Sequence, residues 1–485
     1  MKPFPTPPAC GKPPLAPARE LGSATFGTEI IGHLRAAHQS DHGLLANRLG
    51  DHRPFCKTDG RSLLETSNAG IVVAQTHKTV DMATHPREPS ADANGEELLD
   101  DSLGLLHRKA LTILKRIRDG ALDPETGHKV GPSFAISKAA SLVGRTASAI
   151  REAERDGRLP ERDRTASGHR VQYSLEELDH MRAVFGTRPW RAPDDTPAII
   201  SVSNFKGGVG KSTLALHLAQ HFAIRGYRVL FIDCDSQASS TMMFGYRPDV
   251  DLGEDDTLYG HFHNPELLGV RSIIRKTHFF GLDLIPANLK LYNLEYEIAG
   301  YLAQNQSFDI IDIIAQAIDE VVDDYDIVIM DPPPALGMVS MAVLQAANAM
   351  VIPAPPSVID FASTVSFIDM ARTTMKQLEQ LGGRLKPAYN FIRLVASRVD
   401  DSKSMHREIL SMMRQVFGGS MIGSVLKVSA EIDNASSRMK TVYELDRPVT
   451  SHEVHNRCVR FLNDVCHDIE QDVLRSWDSR SKDLD

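Results

Sequence analysis

Residues 206–213 read Lys-Gly-Gly-Val-Gly-Lys-Ser-Thr, between an apolar run at 197–204 and a helical pattern at 213–224. That strand–loop–helix context is what a phosphate-binding loop needs. Gly207, Gly208 and Gly210 let the backbone curl, so that successive amides point into one concavity. The helix that follows adds the positive end of its dipole beneath the phosphates. Lys211 can reach the β- and γ-phosphates and the Ser212 hydroxyl can ligate Mg2+. The whole string, with Val209 and Thr213, is expected to line a nucleotide site.

The loop also departs from the usual spacing. Five residues before Gly210, where such a loop normally opens on glycine, stands Phe205, and Lys206 starts the glycine run instead. Two lysines are more cations than one cradle uses, unless one has another task. The string KGGVGKST resembles that of the deviant Walker A ATPases, the ParA/MinD class. In that class the early lysine crosses a dimer interface to the partner's nucleotide. The resemblance implies that Lys206 makes ATP the link of a homodimer. Without the resemblance, Lys206 reads as a solvated loop lysine.

From 197 onward, apolar runs at 197–204, 227–233, 282–286, 326–331, 349–354, 388–395 and 421–427 read as strands. Helical patterns alternate with them at 212–225, 307–321, 338–347, 361–381, 403–417 and 451–476. Alternation of this kind predicts an α/β fold, a P-loop NTPase with a doubly wound, mostly parallel sheet and its ligand at the strand C-terminal ends. Two of those ends carry acids. Asp233 and Asp235 close the second run, one residue apart and therefore on one side of the strand. Asp331 closes Tyr325-Asp-Ile-Val-Ile-Met-Asp331, a Walker B pattern whose acid would hold the Mg2+ water shell opposite Ser212. In the ParA class the second stretch is usually Asp-x-Asp-Pro-Gln, and that likeness makes Asp235 the residue that orients the attacking water and Asp233 a support of the metal shell. Ser236 stands where the proline is usual. A strand-end acid can also be a plain helix cap.

The 485 residues are too many for one ordinary core, and the net charge of −9 excludes a wholly basic coat, so DNA binding has to come from local patches. Five scattered cysteines suit a reducing cytoplasm, and no apolar stretch reaches membrane-span length. Residues 1–98 are rich in Pro, Gly, Ser and Thr without periodicity and read as disordered; Met82 is a candidate translation start. An amphipathic helix is expected within 99–121, able to pair with a partner chain.

Residues 130–186 read as a small helical module: a short helix from Ile136 stopped by Gly144, a second helix from Ala147 capped near Thr146, a polar loop with basic residues, and a third helix over 175–185. The set resembles the MerR-like winged helix–turn–helix. Residues 138–170 hold eight Lys/Arg against five acids. If the module binds DNA, Arg145, Thr146, Ser148 and Arg151 would face it, with Arg164 and Arg170 in the hairpin on the phosphates. The plainer alternative is a solvated helical hairpin. Residues 187–196, with two prolines, read as a linker, 197–477 as the ATPase domain and 478–485 as a polar tail. Towards the C-terminus, Arg398, Lys403, Lys427, Arg438 and Lys440 fall in regions that line a non-specific DNA surface in ParA proteins, or are simply solvated basics.

The polar C-terminus lacks the basic amphipathic helix of the membrane-binding relatives, and no cysteine pair brackets the Walker B region as the iron–sulfur relatives need. What fits is the plasmid-type ParA, also called RepA. The resemblance covers about 99–475 and implies a weak Mg2+-dependent ATP hydrolase, cytoplasmic and nucleoid-associated. Its ATP dimer would bind nucleoid DNA and a ParB-type centromere-binding partner that stimulates hydrolysis. Its ADP or apo form would repress its own operon at a specific operator. The alternative is a transcriptional regulator in which ATP only gates dimerisation.

Overall fold

A computed structural model describes residues 99–122, 128–165, 168, 170–189, 191–265, 267–304, 311–380 and 388–477. The expected disordered extension, with Met82, and the polar tail lie outside the described residues.

Helix α1 spans Leu99–Asp119. Its apolar stripe, Leu103, Leu106, Ile113 and Leu114 among it, is exposed to solvent. The small module follows. Strand β1 (Ser133–Phe134) leads to α2 (Ile136–Val143) and α3 (Ala147–Arg155); β2 (Tyr173–Ser174) leads to α4 (Leu175–Phe185). β1 pairs antiparallel with β2, which closes the module on itself. Gly144 ends α2 in the left-handed conformation, φ 70°, a turn in which a β-carbon would be strained. Thr146 caps α3, its side chain accepting from the Ala149 amide at 3.1 Å. Ala139, Ala140, Val143, Ile150, Ala153 and Leu178 then meet in a buried cluster.

The chain from Ala198 to Lys427 forms one eight-stranded sheet. Its strands are β3 (Ala198–Val202), β4 (Val229–Asp233), β5 (Arg275–Lys276), β6 (Leu282–Ile285), β7 (Ile327–Asp331), β8 (Ala349–Ala354), β9 (Phe391–Val399) and β10 (Met421–Lys427). The order is β10-β9-β8-β3-β7-β4-β6-β5, parallel throughout except for the edge strand β5. Side chains alternate along each strand between two apolar layers. Ile200, Val229, Phe231, Ile327 and Ile329 face one, while Ile199, Leu230, Ile232, Val328 and Met330 face the other.

On the first face lie α5 (Lys211–Arg225) and the C-terminal helix His452–Ser476, and the module packs into that same layer. Arg182 of α4, 1 % exposed, donates to the Ile224 carbonyl at 2.5 Å. Burial lowers its pKa to about 10. A β-carbon at Gly226 would press on that guanidinium. The linker is held as well: the Trp477 indole donates to the Thr196 carbonyl at 3.0 Å.

Several elements were not legible in sequence. The 2-residue strands β1, β2 and β5 are too short to show a period. Helix Asn293–Ala303 and helix Ala430–Ser436 were not among the expected helices. Strand β9 starts at Phe391 and runs on to Val399, past the expected end at 395. The helix expected at 361 starts at Val358.

Candidate nucleotide site

Three adjacent parallel strands, β3, β7 and β4, end side by side, and each delivers part of the site. After β3 the chain turns through Gly208 (φ 74°) and Gly210 (φ 96°) into α5. Gly210 is the N-cap and gives no side-chain hydrogen bond to the helix, so the first amides of α5 stay available for an anion. Gly207 and Gly208 are exposed, Ser212 and Thr213 half-buried, and the Val209 side chain faces the core. Below the loop, Asn204 acts as a strut. Its Nδ2 donates to the Pro353 carbonyl at 2.8 Å and to Thr364 Oγ1 at 3.0 Å, while its Oδ1 accepts from the Lys206 amide at 3.3 Å.

Lys211, the first residue of α5, is 7 % exposed, and its Nζ donates to the Lys206 carbonyl at 3.3 Å. Burial lowers its pKa, opposed by the charges of Asp331 and Asp235. The lysine, both acids and the loop therefore occupy one field.

The registers place Asp233 opposite Asp331 on neighbouring strands. Both are fully enclosed, at 1 % exposure. Burial, then repulsion from Asp331, pushes Asp233 up to about 8. Burial also raises Asp331, while Ser240, Ser212 and Lys211 favour its charged form. Ser240 donates to Asp331 Oδ2 at 2.8 Å, but the buried Oδ1 has no hydrogen-bond partner. An orphaned carboxylate oxygen beside Ser212 and Lys211 is the acceptor that a hydrated divalent cation satisfies, so these residues fit Mg2+.

Asp233, expected to support the metal shell, has its oxygens engaged by the chain itself. Its Oδ2 accepts from the Thr241 amide at 2.8 Å and hydroxyl at 2.7 Å, and its Oδ1 from the Asp235 amide at 3.2 Å. It holds the loop after β4 in place. Asp235 is half-buried, and its Oδ1 accepts from the Gln237 amide at 2.9 Å. The two acids lie at one strand end but differ in exposure.

Lys206 does not extend freely. It forms an ion pair with Asp360, near the start of helix Val358–Gln380, and Asp360 also accepts from Ser357 at 2.5 Å. Arg398 is at the phosphate loop as well. Its backbone is left-handed, φ 51°, and its Nη1 donates to the Gly208 carbonyl at 3.0 Å. Arg398, expected on a DNA-contact surface, therefore also touches the rim of the phosphate loop. Asn204, Ser240 and Asp360 went unnoticed in sequence because each has a partner distant along the chain, and Thr241 because nothing local marks it as a donor to Asp233.

The other basic candidates are dispersed. Lys427 pairs with Asp401 at 2.7 Å and Lys403 with Asp400 at 3.6 Å, while Arg438 is exposed and Lys440 half-buried. In the module, Ser148 and Arg151 are exposed on α3. Arg145 is exposed too, but donates to the Phe185 carbonyl at 3.0 Å and lies 5.8 Å from that ring's centroid. Arg164 and Arg170 face each other across an antiparallel bridge in the hairpin. Arg164 donates to the Gly168 carbonyl at 3.0 Å. Arg170 turns inward, ion-paired with the buried Glu154 and donating to the Tyr173 hydroxyl at 2.9 Å, so it fastens the hairpin to α3. Among the described residues no helix is long and apolar enough to cross a membrane.

A family model described as an AAA domain matches residues 197–380. Protein SopA of Escherichia coli K12 is 33 % identical over 366 residues, covering 74 % of this chain and 93 % of its own. That share exceeds what 197–477 alone contains, so the likeness extends outside the ATPase segment. Plasmid partition protein A of Escherichia coli is 24 % identical over 288 residues, 56 % of this chain and 70 % of its own. A solved structure named Partition Protein has the same fold, with a TM-score of 0.55 at 21 % identity, covering 76 % of this chain and 98 % of that one. With a two-lysine phosphate loop beside paired strand-end acids, and SopA matching across nearly its full length, the chain belongs to the ParA-type partition ATPases.

Proposed function

We propose that this protein is a plasmid-partition ATPase whose homodimer is linked by ATP, which acts with a ParB-type centromere-binding partner and represses its own operon through residues 130–186. The observation that carries the reading is the conjunction of a two-lysine phosphate loop with a small module, two short helices joined at Gly144, packed into the apolar layer that also holds α5. Loop amides and Lys211 would hold the β- and γ-phosphates. Ser212 and Asp331 would hold the Mg2+ water shell, with Asp233 fixing the loop that bears Asp235. Bound Mg2+ would neutralise charge developing on the γ-phosphate. Asp235, the most accessible of the three acids, would orient the attacking water. Lys206 would leave Asp360 to reach the partner's nucleotide. Arg145, Thr146, Ser148, Arg151 and Arg164 would meet operator DNA, with Arg170 fastening the hairpin that bears Arg164. Lys403, Lys427, Arg438 and Lys440 would contact nucleoid DNA through phosphates, which carries no sequence information.

The test is ATP turnover by the purified protein with and without DNA and its cognate ParB-type protein, comparing wild type with Lys211→Ala and Asp235→Ala. Weak turnover stimulated by both additions and lost in each variant supports the reading. ATP-dependent dimerisation without turnover under any condition would replace the partition cycle by an ATP-gated repressor.

A further inference from the structure

One contact joins the module's leading segment to the nucleotide site. Helix α6 (Ser239–Met243) starts four residues after Asp235, and Ala238 before it is held in a left-handed conformation, φ 52°. Its first turn is bonded to both enclosed acids: Ser240 donates to Asp331 at 2.8 Å, and Thr241 donates twice to Asp233. Thr241 Oγ1 also accepts from the Ala287 amide at 2.9 Å. At the other end of α6, the Met243 carbonyl accepts from Lys129 Nζ at 2.6 Å. Lys129 belongs to the segment that enters β1 four residues later.

Lys129 is anchored without slack. Its side chain is 2 % exposed and ion-paired with Glu444, itself 1 % exposed. Glu444 also accepts from His278 Nε2 at 2.8 Å and from the Thr441 amide at 2.8 Å. A β-carbon at Gly131 would overlap the His278 carbonyl, and one at Gly245 would lie 3.2 Å from the Lys129 methylenes. A buried pair of this kind is often no better for stability than well-packed apolar residues. What it does is fasten a carbonyl of α6 to the module.

We propose that Lys129 is a positioning residue that couples the helix–turn–helix module to the nucleotide site, through Met243 and the Ser240 and Thr241 bonds of α6. Any redirection of the Asp331 or Asp233 carboxylate on ligand binding has to move or break those bonds. A five-residue helix fixed at both ends passes that displacement to Met243, and Lys129 carries it to β1 and the α2–α3 pair. The coupling rests on the reading that 130–186 binds DNA.

The experiment uses the full chain, ADP and ATPγS, and a duplex from the DNA upstream of its own coding sequence, with a scrambled duplex as control. Duplex affinity is measured at each nucleotide state, and nucleotide affinity with and without duplex. In the wild type each ligand changes the other's affinity by one common factor, expected to be at least about fivefold. Lys129→Met should keep each ligand's affinity alone within about twofold. The common factor should meanwhile fall close to one, and Lys129→Arg should retain it. If the lone buried Glu444 prevents folding, Lys129→Met combined with Glu444→Gln removes both charges and gives the same readout. A coupling factor unchanged in Lys129→Met or in the double variant overturns the proposal while leaving the DNA-binding reading intact. Wild-type protein that does not distinguish the two duplexes overturns both.

Discussion

At the residue scale, environment assigns different work to acids that look alike in sequence. Asp233 and Asp235 are separated by one residue, yet one is enclosed and triply hydrogen-bonded and the other stands half-open. Because its folded pKa lies near 8 against an ordinary carboxylate value, the folded protein binds more protons than the unfolded chain between about pH 4 and 8. Stability should therefore fall as pH rises through that window in the absence of ligand. Asp233→Asn should flatten the dependence, which thermal melts from pH 5 to 9 would show. Equal slopes in wild type and variant would mean that Asp233 is ionised throughout. Lys206 makes a second residue-scale prediction. Its pair with Asp360 is only partly exposed, and breaking it has to precede any reach across a dimer. Asp360→Asn should lower the ATP concentration needed for dimerisation by up to about fivefold, the worth of a surface pair. Sedimentation against ATP concentration checks this, and an unchanged midpoint would keep Lys206 within its own subunit.

At the element scale, helix ends were the most legible features and strand ends the most consequential. The glycine stop of α2 and the threonine start of α3 stand where the sequence puts them, since capping is a local matter of one or two residues. Thr146→Ala should cost about 1 kcal/mol in a denaturant titration, because the Ala149 amide loses its acceptor. The strand ends needed their neighbours. That Asp233 and Asp331 lie side by side follows from β4 pairing with β7, a contact between residues 98 apart in the chain. Helix α5 joins the two scales. Phe222 is fully buried between the sheet and the C-terminal helix, edge-on to Tyr227. Phe222→Ala should cost about 3–5 kcal/mol. It should also loosen the module, because Arg182 bonds to the Ile224 carbonyl two residues on.

For the whole molecule, the module and the ATPase segment share one apolar layer, so a change at either can reach the other through packed contacts as well as through Lys129. Several basic residues expected to bind DNA already have acidic or carbonyl partners. A phosphate contact by Lys403 or Lys427 would compete with Asp400 or Asp401 for the ammonium. Arg438→Ala should therefore weaken non-specific duplex binding in the ATP state more than Lys403→Ala does, as anisotropy titrations at several salt concentrations would show. The phosphate loop, the strand–helix alternation, the Walker B acid and the α2–α3 turn were determined by sequence alone. Each rests on short-range chemistry: a glycine's freedom, a cap, a period of two or 3.6, a run of apolar residues before an acid. Only the tertiary structure decided which acid is closed, that Lys206 rests on Asp360 and that Arg398 touches the loop. It also decided that Lys129 meets α6. Those are pairings between segments tens to hundreds of residues apart, settled by sheet order and burial, which no local pattern encodes.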